Sequence, residues 1–287
     1  MRSSVRRVSA VLCLLVLSTV ATALGGSSRS RVVAPLSLIS LVVPANARAL
    51  GTTEEAVRGI AAIISSRLSL AVPDHLTVHV YGGRLAFEQG LIRDGRVSPL
   101  LAAEMSDFAI GVVTRGQVLL YDRPRDRSDR EWLRLIAHEL THVAQIQLAG
   151  GEGRGEQWLA EGMAEWVAYS TLEHLGLDSL GRRRMAATAG LHVHATVLES
   201  GLDLEARGTP RGFTDWHTRE GGLATYQLAF LVTDYLIEQH GFDRMKAYFA
   251  SFRDSTDRRA NFDRVFGETI GDFEADVLAY LRTVSAL

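Results

Sequence analysis

The stretch His138-Glu139-Leu140-Thr141-His142 constrains the fold of this chain more than any other feature. Four residues advance a helix by about 400°, so both imidazoles leave a helix on one face, about one turn apart. Two nitrogen ligands of one tetrahedral zinc ion require this geometry. Glu139 lies about 100° round the same helix, where its carboxylate can take a proton from water without capturing the metal. The stretch therefore predicts a helix with two metal ligands and a general base.

A third ligand is predicted from the segment that follows. The HExxH pattern alone arises by chance in roughly one chain in a hundred of this composition. Glu161 lies nineteen residues after His142, and the glycine-rich turn at 150–155 lets a second helix fold back against the first. Two histidines and one carboxylate leave a fourth position open for water, as in catalytic zinc sites. The sequence thus predicts one Zn²⁺ ion held by His138, His142 and Glu161.

Local patterns around these residues predict an α+β fold: a small N-terminal sheet with an active-site helix, followed by an all-helical C-terminal lobe. Thr52 and Glu55 have the spacing of a capping box. Strands are predicted at 77–81 and, as a hairpin, at 110–113 and 117–121. Helices are predicted over 53–70, 130–148 (capped by Ser128 or Asp129), 157–175, 180–199, 223–240, 243–252 and 272–284. The Gly-, Thr- and Asp-rich segment 202–222 is predicted to be a loop.

The first 47 residues are predicted to be a signal or targeting segment. Arg2, Arg6 and Arg7 precede the apolar run 8–20 and a small-residue cleavage pattern, and a second candidate signal spans 29–47. Both runs are short for a membrane span, so export with cleavage is favoured over a retained N-terminal membrane anchor. The expected domain is 48–287, with an α/β part at 48–150 and a helical part at 151–287.

Charge and cysteine content exclude several functions. Residues 1–47 hold five arginines and no acid, which leaves 26 basic against 33 acidic residues in the remainder. A chain of that sign has no basic footprint for nucleic acid, and none is expected as a partner. Cys13 is the single cysteine and lies in the leader. We therefore expect neither disulfides nor a cysteine nucleophile in the mature protein.

The two motifs resemble those of a known family. HELTH followed, after an eighteen-residue gap, by Glu161 and Gly-Met-Ala is similar to the gluzincins, the zinc metallopeptidases that include thermolysin and aminopeptidase N. Within them, "HELTHVAQ" and "WLAEGMAEW" are closest to compact bacterial peptidase MA-like domains. The resemblance implies that His138, His142 and Glu161 are ligands and Glu139 is the base. It also implies an edge strand before the active-site helix, here 117–121, that pairs with an extended substrate.

Three further residues are candidates for supporting roles. By resemblance, Glu165 would hydrogen-bond a ligand histidine, with a solvent-facing glutamate as the alternative. By resemblance to the aminopeptidase branch, Tyr226 would stabilise the oxyanion; since it shares a helical face with Phe230, core packing is the alternative. His217 could reach the cleft as another oxyanion donor, although a loop histidine is more often only solvated.

The sequence therefore predicts an exported zinc-dependent peptidase that acts on peptide or protein substrates. Exopeptidases of this clan carry an acidic motif before HExxH, and Ala103-Glu104-Met105-Ser106 is at best a faint echo of it. This difference favours an endopeptidase. Two alternatives remain open: an exported zinc-binding interaction module with little or no turnover, and a metal-free helical interaction protein in which HELTH is coincidental.

Overall fold

The computed structural model describes residues 31–33, 42–73, 75–114, 116–122, 129–151, 155–191 and 195–285. Helices dominate these residues and the described strands form one small mixed sheet, which confirms the predicted α+β class. The strands are β1 (Arg31–Val33), β2 (Thr77–Tyr81), β3 (Gly111–Thr114) and β4 (Gln117–Tyr121). The helices are α1 (Thr53–Leu68), α2 (Arg84–Arg93), α3 (Pro99–Phe108), α4 (Asp129–Leu148), α5 (Gln157–His174), α6 (Leu180–Leu191), α7 (Ala195–Ser200), α8 (Leu204–Arg207), α9 (Pro210–Glu220), α10 (Gly222–His240), α11 (Phe242–Ala250), α12 (Arg258–Phe266) and α13 (Ile270–Ser285), with short 3-10 helices at Ala47–Ala49 and Ser251–Arg253.

The strands lie in the order β1-β2-β4-β3. β2 runs parallel to β4, whereas the other two pairings are antiparallel. The predicted hairpin is confirmed, with Gly111 opposite Leu120 and Thr114 opposite Gln117. The expectation that 117–121 forms the edge strand is wrong, because β4 is hydrogen-bonded on both sides. Within the described sheet, the edge beside the helical lobe is β3.

The two faces of this sheet pack against different layers. Val118 and Leu120 of β4 belong to the large core shared with α1, α4, α5 and α10. Leu119, which points to the opposite face, packs with Phe87 and Met105 of α2 and α3. This period of two places one apolar set on each face. No helix was predicted over 82–109, so the layer formed by α2 and α3 is an addition.

The N-terminal end of the folded region packs on α1 and α5. Thr52 and Glu55 form the predicted capping box, with the Thr52 hydroxyl accepting from Glu55 N and the Glu55 carboxylate accepting from Thr52 N. Pro44 is buried, and a Cβ added to Gly59 would lie 3.0 Å from its ring. The Pro44 carbonyl lies 2.9 Å from Nε2 of His174 in α5. The boundary at residue 48 therefore leaves a packed residue on the leader side; residues 1–30 and 34–41 lie outside the described residues.

Helices α4 and α5 form the centre of the domain. Asp129 is the first residue of α4 rather than its cap, and Ser128 lies outside the described residues. The turn after α4 contains Gly150 and Gly151 at φ 79° and 104°, a backbone region that glycine adopts without strain. In α5, a Cβ at Gly162 would lie 2.1 Å from Oγ1 of Thr233, so α10 approaches α5 at this point closer than any side chain permits.

The C-terminal half is helical, as predicted, but its boundaries differ. The expected loop 202–222 is wrong, because it holds α8 and α9: Thr209 caps α9 by accepting from Gly212 N, and Pro210 occupies the first turn. Both residue types favour helix starts as much as loops. The single helix over 180–199 is replaced in the described residues by α6 and α7. Helix α12, whose cap is Asp257, was not predicted. No helix in the described part of the chain is long and apolar enough to span a membrane.

Candidate metal centre

Helices α4 and α5 bring the three predicted ligands together in the interior. Nε2 of His138 lies 3.0 Å from Nε2 of His142 and 3.2 Å from Oε2 of Glu161. The distance from Nε2 of His142 to the same carboxylate oxygen is 3.5 Å. All three side chains are fully buried, and their ligand atoms lie within 4.8 Å of one another. Among the described residues, this is the one group of three or more metal-binding side chains that converges in this way.

The outer ring nitrogens fix the tautomer of both histidines. Nδ1 of His138 lies 3.0 Å from Oε1 of Glu165, and a carboxylate can only accept, so this nitrogen donates. Nδ1 of His142 lies 2.8 Å from Oε1 of Gln145, whose Nε2 donates to the carbonyl of Ala160. With Nδ1 protonated, each neutral ring directs the lone pair of Nε2 at the other ring and at Glu161.

The electrostatics favour positive charge between these groups. Burial lowers the pKa of His138, but hydrogen bonds and charge from Glu161 and Glu165 outweigh burial and raise the pKa to about 9. Burial raises the pKa of Glu161, yet the charge of His142 and the hydrogen bond from His138 hold the pKa at about 2. Without a metal, a second proton on His138 supplies this charge, and a metal ion bound between the two Nε2 atoms and Oε2 of Glu161 would replace that proton. The donor set therefore fits a bound metal ion.

Glu165 contacts His138, one of the predicted ligands, and it is linked to a buried arginine that was not predicted. Nη1 of Arg134 donates to Oε1 of Glu165 over 2.6 Å, and Nε donates to Glu131 over 2.9 Å. Burial raises the pKa of Glu165, but Arg134 and His138 lower it to about 2. Glu165 therefore stays ionised and accepts from the Nδ1–H group of His138.

Two amides also support the ligands and were not predicted. Gln145 connects the ring of His142 to the backbone of α5, and Nε2 of Gln157 donates to Oε1 of Glu161 over 2.8 Å. Their positions carry a signal that could have found them. Gln145 lies three residues after a ligand and Gln157 four residues before one, which are the spacings at which helical side chains meet.

Glu139 is fully buried and lies against the edge strand β3. A Cβ added to Gly111 would lie 2.1 Å from Oε1 of Glu139 and 2.3 Å from its Cδ. The carboxylate of Glu139 therefore occupies the space that a side chain at residue 111 would fill. This contact connects the predicted general base to the open edge of the sheet.

Tyr226 neighbours both His138 and His217. The ring of Tyr226 is buried, with its centroid 6.2 Å from that of His138 and 6.3 Å from that of His217. His217 is in α9 rather than in the expected loop. Burial lowers the pKa of His217, an effect that the charge of Glu161 opposes. Tyr226 also packs against Phe213, and it thus takes part in the core as well as in the site wall.

No model of a known protein family matches this chain, and neither a curated protein nor a solved structure matches it at a significant level. The geometry of the site is therefore the basis on which its function is inferred.

Proposed function

We propose that the protein is a zinc-dependent peptidase of the gluzincin type. The observation that carries the proposal is the position of Glu139: a buried carboxylate one residue from His138, beside a group that fits a metal and against the edge of a sheet. Two imidazoles and one carboxylate suit Zn²⁺ and leave a coordination position for water or substrate. A purely structural site has no need of a further carboxylate beside an open position.

The chain's own residues supply the acid–base chemistry. When bound, zinc lowers the pKa of a water molecule and polarises a carbonyl group. Glu139 takes the proton from the attacking water, and the same carboxylate returns it to the leaving amine as the peptide bond breaks. His138 and His142 are held by Glu165 and Gln145 in the tautomer that binds metal, so the site is organised before the substrate arrives.

The register of β3 supports an extended peptide as the substrate. Tyr121 N donates to Ile110 O across the hairpin, so these two opposed residues form a hydrogen-bonded pair. Since the pattern alternates, the backbone N–H and C=O groups of Gly111 and Val113 point away from β4, towards the free edge. A peptide that adds to this edge would pair with β3, rather than with β4 as expected, and run past Glu139.

Two side chains are candidate donors to the oxyanion. Tyr226 is the proposed donor, because its ring contacts the ring of His138 directly. His217 is the alternative, because the charge of Glu161 acts on it. Replacing one such donor typically costs about 10²–10³ in kcat. Tyr226→Phe keeps the ring packing and removes only the hydroxyl. A fall in kcat of that size at unchanged stability would assign the role to Tyr226. Unchanged kcat would favour His217 as the donor.

Export remains part of the proposal and rests on the leader sequence alone. The proposal of a peptide or protein substrate rests on the resemblance. The preference for internal bonds rests on the absence of the acidic motif that exopeptidases of this clan carry before HExxH. Ala103–Ser106, the faint echo of that motif, lies in helix α3.

The experiment that tests the proposal is digestion of a mixed peptide library by the purified zinc-loaded protein. Glu139→Gln should retain zinc and lose about 10²–10⁴ in rate, the usual contribution of a general base. Glu173→Gln, an exposed glutamate of α5, is the matched control and should cleave like the wild type. Zinc bound without cleavage by any of the three would favour the zinc-binding interaction module. Absence of zinc in the wild type would favour the metal-free alternative.

A further inference from the structure

We infer that Gly111 is a positioning residue for the general base: its missing side chain is the space in which the carboxylate of Glu139 sits. The inference rests on the proposed function and concerns a residue 28 positions away in sequence from Glu139. It starts from the contact between the edge strand and the active-site helix.

The contact involves more than the tip of the glutamate. A Cβ at residue 111 would lie 2.1 Å from Oε1, 2.3 Å from Cδ and 2.7 Å from Cγ of Glu139. Real Cβ atoms do not approach other heavy atoms this closely, so either the strand or most of the side chain has to move. Glu139 has no exposed surface. A displaced carboxylate would therefore shift within the packed site and could not swing out into solvent.

Neither the strand nor the helix is free to yield. Gly111 is paired with Leu120 in the hairpin, and Val112 and Val113 on its C-terminal side are fully buried in two different cores. On the helix, Glu139 lies between His138, which is held by Glu165, and Leu140 in the large core. A methyl group at residue 111 is consequently accommodated by moving the carboxylate away from the reacting water.

The conformation of Gly111 does not explain why glycine is present. Its φ is not in the positive range. Any residue could adopt the strand conformation at this position, and β-branched residues are preferred in strands. The steric contact with Glu139 is therefore the reason that the structure offers for glycine at residue 111.

The test compares Gly111→Ala with Gly82→Ala, a glycine at the end of β2 at which a Cβ would meet no atom within 4 Å. We expect Gly111→Ala to keep its zinc and its KM and to lose about 100-fold in kcat, the effect of a misplaced catalytic group. Gly82→Ala should behave like the wild type. Glu139→Asp withdraws the carboxylate from the new methyl group. It should therefore lower kcat much less in the Gly111→Ala background than in the wild-type background. Unchanged kcat in Gly111→Ala would overturn the inference.

A measurement that does not depend on turnover separates this inference from the proposed function. Overpacking should lower the melting temperature of Gly111→Ala by about 3–10 °C, and the loss should disappear in a Glu139→Ala background, where the obstacle is absent. An equal loss in both backgrounds would overturn the inference, because the methyl group would then collide with something else.

If the wild type binds zinc and cleaves no peptide, the proposed function fails while this comparison still decides the role of Gly111. If Gly111→Ala does not fold, folding of Gly111→Ala/Glu139→Ala supports the inference and its failure overturns it.

Discussion

The two faces of the sheet differ in what they bury. The α2–α3 face covers an apolar cluster around Phe87, Leu91 and Met105. The opposite face covers a larger apolar core, but α4 and α5 also bury two histidines, three glutamates and an arginine there. Burying charged groups costs free energy unless each one is paired. The second face carries this cost where His138, His142 and Glu161 converge, the group that could hold a metal ion.

Removing the metal should cause the largest loss of stability, and this loss should come from the face that carries His138, His142 and Glu161. At zinc concentrations about 1,000 times Kd, binding stabilises the folded state by about 4 kcal/mol. Excess chelator should then lower the melting temperature by about 10 °C, measured by thermal unfolding followed by circular dichroism. Glu161→Gln lacks a charged ligand and should show little response to chelator. A wild type that melts at the same temperature in zinc and in chelator would contradict the assignment of the second face as a metal site.

Leu91→Ala should act on the first face alone. Leu91 is fully buried, and truncating such a leucine costs about 2–5 kcal/mol through lost burial and the cavity left behind. Denaturant unfolding should show this loss, while zinc affinity and the rate per folded molecule stay at wild-type values. Leu85→Ala on the same helix is the control, because Leu85 is 67% exposed and its truncation should cost under about 0.5 kcal/mol. Loss of zinc affinity in Leu91→Ala would show that the faces are coupled.

Glu165→Gln tests the support of a ligand on the second face. The change removes the negative charge that accepts from His138 and pairs with Arg134, so we expect zinc affinity to fall about 10–100-fold. Competition with a coloured chelator measures the affinity. Glu173→Gln lies on the same helix and is exposed, so it should bind zinc like the wild type. Equal affinities for the two variants would leave Glu165 with a purely structural role.

The smallest expected effect concerns Glu156, a buried carboxyl at the start of α5 that lies outside the metal group. Burial raises its pKa to about 7, against the opposing charge of Arg258, whose Nη1 donates to Oε2 over 2.6 Å. The folded state therefore binds more protons than the unfolded state between pH 4.5 and 7. Stability from this group is complete below pH 4.5 and is lost as the pH rises through about 7.

We expect the loss to be about 1–2 kcal/mol, which is less than the full shift implies because local relaxation and water penetration reduce the cost of burying the charged form. The measurement is the free energy of unfolding at pH 5 and pH 7.5 for the wild type and Glu156→Gln. Comparing the two proteins removes the titration of the metal ligands, which both share. An identical pH dependence in the two would show that Glu156 does not titrate in this range.

Some features of the fold and of the site depend on local sequence and could be predicted. The i, i+4 spacing of His138 and His142 fixes one helical face wherever the helix packs, and the capping box at Thr52 needs only four residues. Segment 202–222 shows the limit of such patterns. Its glycines and threonines are common to loops and helix caps, and the close approach of Gly212 in α9 to the carbonyl of Ala206 in α8 is a contact that the local pattern does not show.

The sequence by itself determined the spacing of the candidate ligands, the α+β class and the helix that carries Glu139, because local patterns of a few residues specify helices, strands and their faces. Only the tertiary structure decided that β3 is the edge strand, that Arg134 joins Glu165, and that Gly111 faces Glu139. These contacts join segments far apart in the chain, and their distances depend on how the sheet and the helices pack. The candidate metal ligands and Glu165 could therefore be named from the sequence, whereas Arg134 and Gly111 could not.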